Sequence, residues 1–323
     1  MSLGEFELIE RYFNRPTRRA AVGRGDDCAV LALRAGMQLA VSCDMLVEGR
    51  HFLSTVEPAR LGHKALAVNL SDLAACGAEP VACTLALALP RADACWLEGF
   101  SAGLYALADA HGCELIGGDT TAGPLNICVT VFGEVPAGGA LLRHGACDGD
   151  AVWLSHAPGG GIGDARLALE AFRGKVALAG DAFERVRRAM EQPQPRVALG
   201  RALRGLASAV IDVSDGLLGD LGHLLRCSGV GATIDADALP RSPDLAAQPL
   251  ALQRLCGLSG GDDYELLFAA PEAAHAGVQA AAREAGVGVS RIGRIEARSG
   301  LRVVDGQGRA LTEAWSSFDH FRS

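Results

Sequence analysis

The run KALAVNLSDLAACGAEPVACTLALALP, residues 64–90, is the most apolar stretch of the chain, and its reading decides the fold. A single membrane-crossing helix needs about 20 uninterrupted apolar residues. Here Ser71-Asp72 and the turn Gly77-Ala78-Glu79-Pro80 interrupt the run. It therefore reads as two buried elements of a globular core. Pro58 stands where a first helical turn tolerates it and Gly77 just past a helix end, which predicts a helix over 58–76. A strand is expected over 81–89. Asp72 then lies inside a helix, far from either terminus, where aspartate has poor propensity, and Asn69 is its neighbour one turn back.

Working outward, residues 28–33 and 37–46 read as two strands around an Arg-Ala-Gly turn. Trp96, Phe100, Leu104 and Leu107 recur at helical spacing over 92–111, and strands are expected at 113–118 and 126–134. The N-terminal MSLGEFELIERYF lacks a basic segment followed by an apolar one. It sets Phe6, Ile9 and Phe13 at helical spacing, as a docked amphipathic helix would. VPAGGALLRHGACDGD has the glycines and weak periodicity of a connector, which puts a boundary near 140–149 and two domains at 1–140 and 141–323. Helices are expected in the second half at 163–173, 183–190, 195–206, 216–228 and 272–285, alternating with strands at 208–213, 231–236, 264–269 and 290–304. This is an α+β chain of two α/β domains.

A chain of 323 residues exceeds the size at which one core usually stops growing, in keeping with two domains. Its net charge of −8 and the lack of a Lys/Arg run argue against nucleic acid or an anionic membrane as partner. Phosphorylated small molecules remain open if cations mediate. The ten cysteines are scattered without a CxxC pair, as small apolar fillers in a reducing compartment would be, and a cytoplasmic enzyme is the working class.

Carboxylates gather at predicted strand ends. GRGDDCAVL (23–31) places Asp26 and Asp27 before the first strand, Asp44 ends the second, and Asp119 ends another in CELIGGDTT. In the second half AVIDVSDGLLGDLGH holds Asp212 and Asp215 at a strand-to-helix junction, and LSGGDDYELLF holds Asp262 and Asp263 before a strand. Singly, each such aspartate is an ordinary turn or cap residue. Converging, two carboxylates about 4 Å apart repel by roughly 4 kcal/mol at an effective dielectric near 20, and cations or protonation must relieve that. Oxygen ligands without zinc-like His/Cys spacing suit Mg²⁺ or Mn²⁺, which in turn bind phosphate oxygens. The glycine-rich run APGGGIGDARLAL (157–169) joins a strand to a helix, yet it lacks the Lys-Ser/Thr ending of a Walker loop and does not fit GxGxxG, so it reads as a structural turn.

Taken together, GEFELIERYF, GDDCAVL, DMLVEGRHF, KALAVNLSDLAACGA, LIGGDTT, DVSDGLLGDLGH, GGDDYEL and the terminal FDHF run in order from residue 4 to residue 321. The ordered set closely resembles the thiamine-monophosphate kinase family of the aminoimidazole-ribonucleotide-synthetase-like superfamily. The resemblance implies transfer of the ATP γ-phosphoryl group to thiamine monophosphate. It also implies a homodimer in which N-terminal sheets pair across the interface. Carried over by motif, Asp27, Ser42, Asp44, Asp72, Asp119, Asp212 and Asp215 match metal ligands for several Mg²⁺ ions. Tyr105, Gly118, Asp119, Arg143 and Ser214 match ATP contacts, and His51, Asp262 and Phe318 match thiamine-phosphate contacts. Cys43 stands where relatives commonly have Thr, and Asp262 where they often have Glu.

The resemblance implies in-line attack by an already ionised phosphate oxygen, so no catalytic general base is expected. Two rivals stand beside it: another ATP-dependent enzyme of the superfamily, and a non-catalytic nucleotide or thiamine-phosphate binder. The chain ends DHFRS, without the terminal cysteine that the hydrogenase-maturation relatives use.

Overall fold

The computed structural model describes residues 4–23, 26–313 and 315. The chain divides into two compact units, one of Met1–Leu73 with Ala78–Gly138 and one of Ala74–Gly77 with Gly139–Ser323. The short segment groups with the second unit for a local reason: the Leu141 N–H donates to the Cys76 carbonyl at 3.0 Å.

In the first unit, helix α1 (Glu5–Phe13) precedes a two-stranded ribbon of β1 (Ala20–Val22) and β2 (Val30–Leu31). Next come β3 (Met37–Val47), α2 (Pro58–Ala75), β4 (Glu79–Leu89), α3 (Ala94–His111), β5 (Glu114–Ala122) and β6 (Asn126–Pro136). The sheet order is β3-β6-β4-β5, with β4 and β5 parallel and the other pairs antiparallel. Asp93 caps α3, accepting from the Cys95 and Trp96 amides, and Gly112 ends it in the left-handed region at φ 62°. In α1 the buried side chains are Leu8, Tyr12 and Phe13, whereas Phe6 is 82% exposed, so the docked face is turned from the one its spacing predicts. The expected strand at 28–33 shrinks to two residues because its N-terminal part belongs to the aspartate-bearing loop.

The second unit contains β7 (Ala151–His156), α4 (Asp164–Phe172), α5 (Gly180–Glu191), α6 (Val197–Ala202), β8 (Ala209–Asp212), α7 (Leu217–Ser228) and β9 (Gly231–Asp235). It continues with α8 (Pro243–Ala246), α9 (Leu250–Ser259), β10 (Leu266–Ala270), α10 (His275–Glu284), β11 (Gly288–Glu296) and β12 (Gly300–Val304). The six-stranded sheet has the order β12-β9-β11-β7-β10-β8 and is antiparallel except for β12 on β9. Its core joins Val152 and Leu154 of β7, Ile211 of β8 and Leu267 of β10 to Leu217, Leu221 and Leu224 of α7. The single strand expected at 290–304 is two strands that flank β9. Residues 297–299 link them across the start of β9 at Gly231, where a Cβ would stand 2.0 Å from the Arg298 carbonyl oxygen.

Candidate active site

The first unit gathers Asp27, Gly118 and Asp119 around one cavity of about 420 Å³. The ribbon of β1 and β2 brings its loop there because Ala20, Ala29 and Leu31 pack with Val81, Ala82 and Ile116 of the sheet. The loop presents the exposed Asp26 and Asp27, and the Asp26 carboxylate accepts the Asp27 N–H at 2.9 Å. Gly118 and Asp119 lie on β5 opposite Leu85 and Ala86. Only glycine fits at 118: φ is 145°, and a Cβ would stand 1.8 Å from the Leu85 carbonyl oxygen. The apolar wall of the cavity includes Phe6, Ile9 and Phe13 from α1.

A second set joins β3 to α2. Side chains alternate along β3, so Ser42, Asp44 and Leu46 share one face. The Ser42 hydroxyl donates to Asp72 at 2.5 Å, and the Asp44 N–H donates to Asn69 at 2.9 Å. Asp72 thus sits mid-helix beside a strand hydroxyl, and Asn69 is turned toward the backbone of Asp44. His51 lies in the turn after β3, where its Nδ1 accepts the Val47 N–H at 2.9 Å. In the neutral ring the proton is then on Nε2, which becomes the donor. Lys64, buried on α2, donates to the His51 carbonyl at 3.0 Å. Tyr105 falls elsewhere: it is buried on α3, its hydroxyl donates to the Phe13 carbonyl at 2.8 Å, and the Arg15 guanidinium covers its ring at 3.7 Å.

In the second unit the two aspartate motifs form one backbone assembly. The Asp262 and Tyr264 amides donate to the Ser214 and Val213 carbonyls, both at 2.8 Å, and the Val213 N–H donates to the Glu265 carbonyl at 2.9 Å. The contact needs Gly261, whose Cβ would stand 2.4 Å from the Ser214 carbonyl oxygen. Asp262 and Tyr264 both hold left-handed φ values, 69° and 52°, and the Tyr264 hydroxyl donates to Asp262 at 3.1 Å. Asp212 ends β8, nearly fully buried. The amides of Ser214, Asp215 and Gly216 each donate at 3.1 Å to one carboxylate oxygen of Asp220. Burial first, then the charge of Asp215, pushes the Asp220 carboxyl up to about 7, against the pull of those three donors. Arg143 is exposed, and its carbonyl accepts from Ser228. Burial and then Arg226 and Arg143 hold the His223 imidazole below its ordinary range, with Asp215 opposing them. Phe318 lies outside the described residues.

The glycine-rich run is a packing device. A Cβ at Gly161 would stand 2.3 Å from the Pro240 carbonyl oxygen, and the Gly163 N–H donates to Asp263 at 2.8 Å. Burial drives the Asp263 carboxyl well above its ordinary range, and its second oxygen is buried with no hydrogen-bond partner.

These placements coincide with matches along the whole chain. Residues 25–135 match the N-terminal domain, and residues 148–306 the C-terminal domain, of the family described as AIR synthase related protein. A thiamine-monophosphate kinase of Salmonella typhimurium is 46% identical over 326 residues, spanning 99% of each chain. The chain belongs to the thiamine-monophosphate kinase family. A thiamine-monophosphate kinase from Stenotrophomonas maltophilia superposes with a TM-score of 0.85 at 44% identity, over 96% of this chain and 99% of that one. AaThiL complexed with AMPPCP and TMP superposes with a TM-score of 0.75 at 28% identity, over 90% and 89%.

For a member of the thiamine-monophosphate kinase family, the motif aspartates were legible as turn and strand-end residues; their supports were not. Lys64 and Asp220 act on backbone groups, which no side-chain pattern marks. A lysine within the apolar helix and a carboxylate one turn into α7 were the available signals. Among the described residues no three His, Cys, Asp or Glu side chains form a ready-made metal cage. The donor set of carboxylates and the Ser42 hydroxyl nevertheless fits Mg²⁺, which is held by one or two carboxylates and completed by water and phosphate oxygens rather than by an all-protein cage.

Proposed function

We propose that this chain transfers the γ-phosphoryl group of ATP to thiamine monophosphate, giving thiamine diphosphate and ADP, in a direct in-line step assisted by Mg²⁺. The observation that carries the reading is full-length similarity, at 46% identity, to a thiamine-monophosphate kinase, joined to the superposition on a relative complexed with AMPPCP, an ATP analogue, and TMP. The first unit holds metal and nucleotide through Asp27, Ser42, Asp44, Asp72, Gly118 and Asp119. Within the second unit, Arg143 and Ser214 contact ATP, Asp212 and Asp215 hold metal, and Asp262 contacts thiamine monophosphate. Bound Mg²⁺ supplies charge screening between two polyanions.

The chain's own groups do the positioning. The backbone of Gly118 gives close approach to a phosphate because no side chain intervenes, and the Arg143 guanidinium offers a planar fork to phosphate oxygens. The Ser214 amide and carbonyl are engaged within the turn, which leaves its hydroxyl to meet the nucleotide. His51 donates from Nε2 to the acceptor phosphate, and Asp262 faces the thiamine portion with its carboxylate oriented by Tyr264. Tyr105 acts on the nucleotide through α1, which its hydroxyl pins and which walls the cavity. Phe318, from the FDHF motif, completes the thiamine contacts in this reading. The attacking oxygen is already ionised, so no general base is required, and alignment of the reactants carries the rate enhancement.

The same proposal includes a homodimer formed through the first unit and a cytoplasmic setting, where ATP is abundant. Leu39, Val41 and Met45 stand exposed on one face of β3, an apolar stripe that pairing would cover. Incubation with ATP, Mg²⁺ and thiamine monophosphate, followed by chromatography, is expected to give thiamine diphosphate and ADP in equal amounts, abolished by chelation. ADP without thiamine diphosphate would point to another acceptor within the superfamily. ATP binding without product would make the chain a binding protein.

A further inference from the structure

We propose that Asp220 is a positioning residue for phosphoryl transfer: its carboxylate fixes the 214–216 turn and thereby aims Asp212, the Ser214 hydroxyl and Asp215. The proposal rests on the phosphotransfer reading above. Asp220 is nearly fully buried in α7, and one of its oxygens receives three consecutive amides at 3.1 Å each. With Val213 bonded to Glu265 and the Ser214 carbonyl bonded to Asp262, every amide from 213 to 216 has a partner inside the protein. The turn is therefore held from two sides, by the Gly261–Asp262 backbone and by Asp220. Only the second is a side chain, and only it can be altered without rebuilding a loop. Its carboxylate is directed at the backbone of its own motif, DVSDGLLGD.

Position and charge can be separated. Asp220→Asn keeps an acceptor at the same reach but removes the charge, Asp220→Glu keeps the charge but displaces the oxygen, and Asp220→Ala removes both. In full-length protein, hydrogen exchange of the 214–216 amides, Mn²⁺ uptake in the presence of ATP followed by electron paramagnetic resonance, and turnover are read together with the melting temperature. The Ala and Glu variants are expected to speed exchange at these amides, weaken Mn²⁺ uptake, and lower kcat about 100-fold, the effect of a misplacement near 1 Å, with little change in KM for thiamine monophosphate. Asp220→Asn is expected to restore slow exchange and most of the turnover. A folded Asn variant as impaired as Ala, or a Glu variant equal to wild type, overturns the role assigned to Asp220. Should Ala fail to fold, the Asn and Glu pair still decides. Wild-type protein that makes no thiamine diphosphate overturns the phosphotransfer reading itself, and the role of Asp220 with it; active wild type beside an unimpaired Ala variant overturns the role of Asp220 alone.

Discussion

Asp72 shows how a residue unsuited to its local setting can be retained for what it meets. Aspartate is a poor mid-helix residue, yet here it accepts from Ser42 on the neighbouring strand. Asp72→Asn keeps an acceptor for that hydroxyl while removing the charge, so the fold should persist and turnover at saturating Mg²⁺ should fall at least about 100-fold, the scale of losing one electrostatic contact in a site. Steady-state rates beside a circular dichroism melt check both halves. Asp164 carries the opposite lesson. Burial pushes its carboxyl from 3.8 up to about 6, with the Ser242 hydroxyl pulling down and Asp244 pushing up. A raised carboxyl holds its proton longer in the folded state, so its contribution to stability is complete below pH 3.8 and is lost as pH rises through about 6. The shift corresponds to roughly 3 kcal/mol. The start of α4 favours the charge by up to about 1 kcal/mol, leaving about 2. Asp164→Asn should therefore be more stable than wild type at pH 8 by about 2 kcal/mol, with the advantage gone near pH 4, as urea melts at the two pH values will show.

At the scale of elements, strands β7, β8 and β10 are tied at the point where β10 begins. Glu265, buried at the end of GGDDYE, is held in a two-pronged pair by Arg196, whose Nε lies at 2.7 Å, and accepts the Ser155 hydroxyl at 2.5 Å. Ser155 in turn accepts the Leu266 amide at 2.8 Å. Arg196→Met strands a buried carboxylate and should cost about 3–5 kcal/mol, whereas the double change with Glu265→Leu should recover much of it. Denaturant midpoints of the two variants distinguish these outcomes. Long periodic elements were readable from the chain: the expected helix at 58–76 and strand at 81–89 correspond to α2 and β4. No helix is among those expected over 240–259. In the structure Pro243 opens α8, where the Ser242 hydroxyl accepts the Leu245 amide at 3.2 Å, and Pro249 precedes α9. Both prolines stand at helix starts, where the fixed φ suits the first turn and no amide donor is lost. The run 290–304 differs for another reason: nothing local reveals that its two halves are the neighbours of a third strand.

At the scale of the whole molecule, the apolar stripe on β3 sets the expectation for assembly. Val41 is 55% exposed in the middle of that stripe, and Val41→Lys would place a charge at the centre of the proposed interface. Sedimentation should show a dimer for wild type and, for the variant, association weakened by roughly 100-fold with an unchanged melting profile of the protomer. The link that crosses Gly231 also dictates an order of events during synthesis. Both neighbours of β9 are encoded after it, so the nascent strand leaves the ribosome with neither flank covered and gains them only when residues 288–304 have emerged. A nascent chain stalled between those points displays a naked sheet border, and such incomplete products are where copies should stick to one another.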